Sequence, residues 1–454
     1  MLTIFALTQN YTSQMKKIFL FVLLITSIFS CKKSNDSWQQ AASNPEFLRR
    51  TQLQLTESII HDIFAPPVSS RIYMYSALGA YEALAAGNTN YQSMVGQLRG
   101  FKKVAKPEVG QEYCYPVAAV RAYLTIGKNL TFAQDIYVDF EKKLEEDYKA
   151  TGIPSDVYER SIAFGDSVAA SIMNYSKGDN YKQTRGFRYT VTQKKGTWVP
   201  TPPAYIDAAE PYWSKIRPAT LDTSSQFMPP KPYEYDMTKG SKYYDMVMDV
   251  YNTINNLTEE QRNIANFWDC NPFKMNITGH AMFATKKVSP GGHWMAIVTQ
   301  TSRQLKADIY QTSEAYLLTS MAIFDGFISC WDEKYRSIKV RPETVINEVV
   351  DKNWQPVLQT PPFPEYTSGH SVISGAASVA LSSVLGDNVA FADSSEMQYG
   401  LPVRNFKSYK DAAEEASISR LYGGIHFRPA LDLGLEQGRK VGNWVITKVK
   451  TRKK

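Results

Sequence analysis

Histidine and cysteine are scarce in this chain, five and four among 454 residues. No two cysteines stand in a CxxC pair, which argues against a zinc site or a disulfide framework. Cys31 lies in the leader, leaving Cys114, Cys270 and Cys330, an odd number far apart in sequence. Cys330, inside "MAIFDGFISCWDEKY", is expected to be a small core residue. Strand-like alternation is also rare, which disfavours all-β and βαβ architectures. There is no dense basic block beyond the C-terminal "KVKTRKK"; the net charge is +7, with both signs mixed along the chain. That excess suits an anionic small molecule and does not argue for nucleic acid. Past the N-terminal leader, no apolar run reaches the roughly 18 residues a membrane span needs.

The leader itself is informative. Lys16 and Lys17 precede an apolar run from Ile18 to Phe29, then Ser30-Cys31 and polar residues. This pattern reads as a secretory signal over 1–30, with Met15 as a better start than Met1. A cysteine directly after a small residue resembles a bacterial lipoprotein cleavage box. The expectation is an exported protein, lipidated at Cys31 and tethered to a membrane.

The rest divides by pattern into a helical region over 31–235 and a second one over 236–454, with no clear linker between them. Helical periodicity runs from Asn44 to Gly87, interrupted at Pro66-Pro67, and resumes near 112–128, 132–150 and 155–176. Residues 185–235 differ: eight prolines fall between Pro200 and Pro232, among Trp198, Trp213 and several tyrosines. This is expected to be extended chain, with a short hairpin at "FRYTVTQ", either lining a pocket mouth or packing structurally. Helices are expected again at 240–256 and after Thr258-Glu-Glu-Gln261, a capping box. Two long helices follow from "SPGGHW" to "WDEKY", the stretch 314–331 buried on all sides. Others are expected near 368–386, 409–422 and 430–449. The fold class is all-α.

Three stretches carry the chemistry. The first is Lys334, six residues, then Arg341-Pro342. The second is Thr367-Ser368-Gly369-His370. The third is Ser419-Arg420, five residues, then His426. Lys334, Arg341 and Arg420 are cations suited to a multiply charged anion. Ser368 and Gly369 stand at a helix start, where free N–H groups and the helix dipole favour an anion. His370 and His426 remain for covalent or acid–base work.

These motifs, with "SSRIYMYSALGAYEAL" and "PGGHWMAIV" upstream, resemble the superfamily of vanadium-dependent haloperoxidases and type 2 phosphatidic acid phosphatases. The resemblance implies a helical bundle with an additional N-terminal helical half, the motifs falling at 334–432. It implies that Lys334, Arg341, Ser368, Gly369 and Arg420 hold the oxygens of vanadate or phosphate. His426 would be the axial vanadium ligand or the phosphatase nucleophile, and His370 the acid–base group. Trp331 and Phe363 would stand beside the halide. Two positions depart from the pattern. Thr367 replaces a usual proline, and Ala430 stands where an aspartate follows the third-motif histidine, Asp432 being the nearest acid.

Elsewhere, "KIRP" at 215–218 lacks a lysine seven residues before Arg217 and is a decoy. His61, His280 and His293 are expected to be structural. Asp325 is either a partner of the cationic cluster or a satisfied buried acid. Three functions follow. In a haloperoxidase, vanadate and hydrogen peroxide oxidise halide. In a soluble phosphatase, phosphate esters are cleaved through a phosphohistidine. The third reading is a non-catalytic surface lipoprotein that binds an oxyanion or a partner. Chain length, the N-terminal half and the absent aspartate favour the first.

Overall fold

The computed structural model describes residues 36–272 and 274–453. The architecture is helical, as expected, with two small two-stranded sheets. No helix among the described residues is long and apolar enough to cross a membrane.

The longest element, Ile309–Ser337, is capped by Asp308, whose side chain accepts from the Gln311 N–H at 2.8 Å. Its 314–331 stretch is buried throughout, as the unbroken apolar pattern requires. It ends at Ile338, which sits at φ +50°, a conformation rare for a β-branched residue. On one side it packs against Pro66–Ala85 from the N-terminal half, and on the other against Gly369–Leu385. Pro66 and Pro67 start a helix rather than break one, because proline at the first helical positions loses no hydrogen bond.

Gly369–Leu385 in turn lies against Arg428–Lys448 and Tyr409–Tyr422. The approach is close: a Cβ on Gly438 would fall 1.9 Å from the Val372 carbonyl oxygen, and one on Gly442 2.7 Å from that of Ala376. Only glycine allows this spacing. The close approach brings the starts of the 369–385 and 428–448 helices together, and with them His370 and His426.

The two sequence regions share one continuous apolar core, running from Trp38 to Val449. The proline-rich segment packs onto it. Asp325 holds that segment in place, accepting the N–H groups of Ala219, Thr220 and Leu221 (2.7, 2.8 and 3.2 Å) and the Thr220 hydroxyl (2.6 Å). Asp325 is therefore a satisfied buried acid and not a partner of the cations.

The hairpin expected at "FRYTVTQ" does not form; residues 187–193 are irregular. Thr192 Oγ1 instead accepts from the Lys194 N–H, and the only pairing nearby is an isolated bridge from Thr197 to Lys339. Two hairpins that periodicity did not reveal are present: Met275–Thr278 pairs with Ala281–Ala284, and Phe391–Asp393 with Arg404–Phe406. Strands this short show no readable alternation.

Candidate active site

A cavity opens between the N-termini of Pro290–Gln304 and Gly369–Leu385. Its wall includes Trp331, Phe363, Gly369, His370, Arg420 and His426, all singled out from sequence. Lys334, Arg341 and Ser368 adjoin it without lining it.

Ser368 caps its helix, accepting from the Ser371 N–H at 3.3 Å. Its own N–H is donated to the Ala430 carbonyl, so that group is not free for an anion. Gly369 and His370 are the first two helical residues, whose N–H groups have no partner within the helix. Trp331 and Phe363 pack with ring centroids 4.9 Å apart. The Lys334 ammonium lies 5.1 Å from the centre of the Phe363 ring. The proline-rich segment buttresses this aromatic wall from behind: the Ala209 carbonyl accepts from Trp331 Nε1 at 3.2 Å and from the Tyr335 hydroxyl at 2.7 Å. It contributes no lining residue.

Three cations are buried here: Lys334 and Arg341 are 0% and Arg420 2% exposed. Each costs several kcal/mol to desolvate unless paired. Lys334 Nζ donates to the carbonyls of Pro364 (2.7 Å) and Glu365 (3.0 Å). Arg341 donates to the carbonyls of Phe363 and Ile425, each at 2.8 Å, and to His426 Nε2 at 3.1 Å. Arg420 donates to the Trp268 carbonyl. Burial pushes Lys334 down to about 7, the Arg341 charge adding to the effect.

Glu365, which sequence reasoning missed, answers the question of the absent aspartate. Its Oε1 accepts from His426 Nδ1 at 2.8 Å and from the Phe427 N–H at 3.1 Å. This arrangement fixes the tautomer: Nδ1 carries the proton and Nε2 presents its lone pair, here to Arg341. Asp432 is exposed and takes no part. Burial, then the fields of Arg341, Lys334 and Arg420, hold His426 well below the usual histidine range. His370 is held down too, by burial and then Arg420, and its ring hydrogen-bonds to the Trp268 backbone. Both imidazoles are therefore neutral near pH 7, His426 as a donor of a lone pair and His370 as a proton carrier.

Arg341 Nη2, Arg420 Nε and His370 Nε2 are buried without a hydrogen-bond partner. Each orphan costs about 1–3 kcal/mol. A tetrahedral oxyanion in the cavity would accept from Arg341 Nη2 and Arg420 Nε, and a protonated oxygen on it would donate to the neutral His370 Nε2, so the residues present fit one.

The cavity also has walls that the motifs did not reveal: Pro66, Phe327 and the loop Asp269–Pro272. The Asp269 carboxylate favours the Arg420 charge electrostatically. The remaining sequence candidates lie apart. Arg217 of "KIRP" stacks on Tyr175 at 3.9 Å. His61 pairs with neighbouring Asp62, and His280 is exposed on the 275–284 hairpin. Cys31 falls outside the described residues.

No curated protein sequence matches the chain. The family description "VCPO second helical-bundle domain" matches residues 314–453. Among solved structures, the chain is 46% identical to "the first bacterial vanadium dependant iodoperoxidase", with a TM-score of 0.84 over 90% of this chain and 98% of that one. It shares its fold with a holo-type bacterial vanadium-dependent chloroperoxidase at 17% identity and a TM-score of 0.65, over 85% of this chain and 93% of that one. The apo-type form gives 18% and 0.64, over 85% and 95%. The chain belongs to the vanadium-dependent haloperoxidase family. It is an enzyme of the haloperoxidase type.

Proposed function

We propose that the cavity binds vanadate and that the enzyme oxidises halide with hydrogen peroxide, iodide being the halide. The observation that carries this is the convergence of the unpartnered donors Arg341 Nη2 and Arg420 Nε on a neutral histidine whose Nε2 its bond to Glu365 leaves unprotonated. The 46% identical iodoperoxidase supports the choice of halide. Bound vanadate supplies Lewis acidity and the centre at which peroxide becomes an oxidant.

The residues divide the work. His426 Nε2 would hold the metal in place of its present contact with Arg341. Arg341, Arg420 and Lys334 neutralise the oxygens, and the N–H groups of Gly369 and His370 add the helix dipole. His370 Nε2 passes protons to and from the reacting oxygens. Trp331 and Phe363 form an apolar wall where a large, weakly hydrated halide loses little by leaving water. The test is reconstitution with vanadate, followed by iodide oxidation with peroxide and measurement of vanadium content. Activity that rises with bound vanadium supports the reading, and none at full vanadium loading refutes it.

One observation favours a second reading. Glu365 orients His426 as a carboxylate would orient a phosphatase nucleophile, so the absence of an acid at Ala430 does not discriminate. The sign of the vanadate effect does. Activation of halide oxidation supports the haloperoxidase, whereas phosphate release from simple monoesters, inhibited by vanadate, supports the phosphatase. Lipidation at Cys31 is proposed with it: Cys31→Ala should move the protein out of the membrane fraction, and an unchanged distribution would refute the tether.

A further inference from the structure

Behind the cavity wall lies a second polar cluster, of opposite character. Cys270 Sγ is 3.2 Å from His293 Nδ1, and Glu396 Oε1 is 3.3 Å from the same nitrogen. The three ligand-type atoms all lie within 4.8 Å of one another. The residues are 1%, 0% and 0% exposed. Both carboxylate oxygens of Glu396 are buried with no hydrogen-bond partner. On its far side, His293 Nε2 meets Asp393 Oδ2 at 2.7 Å and the Ser395 hydroxyl at 2.9 Å. The Trp268 ring stacks on the imidazole, centroids 4.5 Å apart, and fixes its plane.

We propose that Cys270, His293 and Glu396 form a buried site for one zinc ion, separate from the oxyanion cavity. A cation is needed because two fully buried carboxylates and a thiol face a single imidazole. An Asp393–imidazolium pair balances one charge and turns a single Nδ1–H toward Cys270 Sγ and Glu396 Oε1, which leaves Glu396 Oε2 without a donor and one buried negative charge in excess. A divalent ion held by thiolate, carboxylate and neutral imidazole removes that deficit. Asp393 then becomes the carboxylate that orients a metal-bound histidine.

The mixture of S, N and O donors suits zinc and disfavours magnesium or calcium, which take oxygen alone. Zinc bonds of about 2.3 Å to sulfur and 2.0–2.1 Å to nitrogen and oxygen imply tetrahedral edges of roughly 3.3–3.6 Å. The two measured edges, 3.2 and 3.3 Å, are already near that length. The third, between sulfur and oxygen, has to close by at most roughly 1.3 Å, with water as the fourth ligand. The ligands come from three places: the loop after Glu259–Phe267, the first turn of Pro290–Gln304, and the turn after Phe391–Asp393. The ion would tie these together and hold the cavity wall, since Cys270 lines that cavity and the Trp268 carbonyl accepts from Arg420.

The test uses the whole chain, purified, reconstituted with zinc and dialysed, with zinc and vanadium measured separately. The expected result is one zinc per chain, retained whether or not vanadium is present. Zinc should be lost in Cys270→Ser and Glu396→Gln and held about 10–100-fold more weakly in Asp393→Asn. Because a variant can fail to fold, the wild type is also loaded with cobalt in place of zinc. A thiolate-to-cobalt charge-transfer band should appear and be displaced by zinc. Absence of zinc and of that band in folded wild type overturns the site, and so does a zinc content unchanged in folded Cys270→Ser. Neither outcome bears on halide oxidation, which is read from the vanadium-loaded samples.

Discussion

Two buried polar clusters share the loop that carries Trp268 and Cys270, and they differ in what they lack. The cavity around His426 has surplus donors, with Arg341 Nη2 and Arg420 Nε unpartnered. The cluster around His293 has surplus acceptors, the two oxygens of Glu396. The same residue type sits at the centre of each, but its neighbours set its charge. Burial, and then the arginines and lysine, hold His426 neutral, whereas against the cost of burial Asp393 and Cys270 act to raise His293. The lesson is that an unpartnered buried atom states the sign of its partner: an oxyanion on one side of the loop and a cation on the other.

The most severe break on the oxyanion side is His426→Ala. It removes the lone pair proposed to hold vanadium, so vanadium content and vanadate-dependent iodide oxidation should both fall to background. His370→Ala sharpens the contrast between holding and reacting. Vanadium content should stay near that of wild type while turnover falls about 10²–10⁴-fold, the range for a positioned proton carrier. Glu365→Gln keeps the shape but weakens control of the His426 tautomer, and vanadate affinity should fall about 10–100-fold, read by equilibrium dialysis.

The pH dependence is gentler. Lys334 is a cation below about 7 and loses its charge as pH rises through that value. An oxyanion binds the protonated form and raises its pKa. Affinity should therefore be full below pH 7 and fall by up to ~10-fold per unit above it, until the bound-state pKa is reached. Tungstate, which keeps its charge over that range, is a suitable probe, and a flat profile would show that Lys334 stays charged in the free enzyme. The smallest effect belongs to Asp432→Ala. Its side chain is exposed, so activity should be unchanged and stability should shift within about 0.5 kcal/mol by thermal melting.

Much of the oxyanion site was legible because its residues come in short, fixed spacings. Lys334 and Arg341 bracket a helix end, Ser368-Gly369-His370 starts a helix, and Arg420 and His426 span another helix end and the loop after it. Glu365 stood in plain view five residues before His370, yet nothing local says that its carboxylate turns back to a histidine 61 positions later. The Ser368 N–H was expected to face the anion, but it is committed to Ala430, a contact across two helices. Asp325 was undecided in sequence because a buried acid has the same local signature whether it meets a cation or a row of N–H groups.

The sequence alone determined the helical class, through 3.6-residue periodicity, caps and proline starts, all of them interactions between residues a turn or so apart. It determined the family chemistry for the same reason: each motif lies within a few residues of one helix end. What only the tertiary structure decided depends on distance in space without proximity in sequence. Cys270, His293 and Glu396, proposed above to hold a cation, meet across 126 residues once the 290–304 helix and the 391–406 hairpin pack beside the 268–270 loop. Charge balance in a protein interior is settled among neighbours in three dimensions, and a spacing rule cannot see a ligand set that the fold assembles from three separate elements.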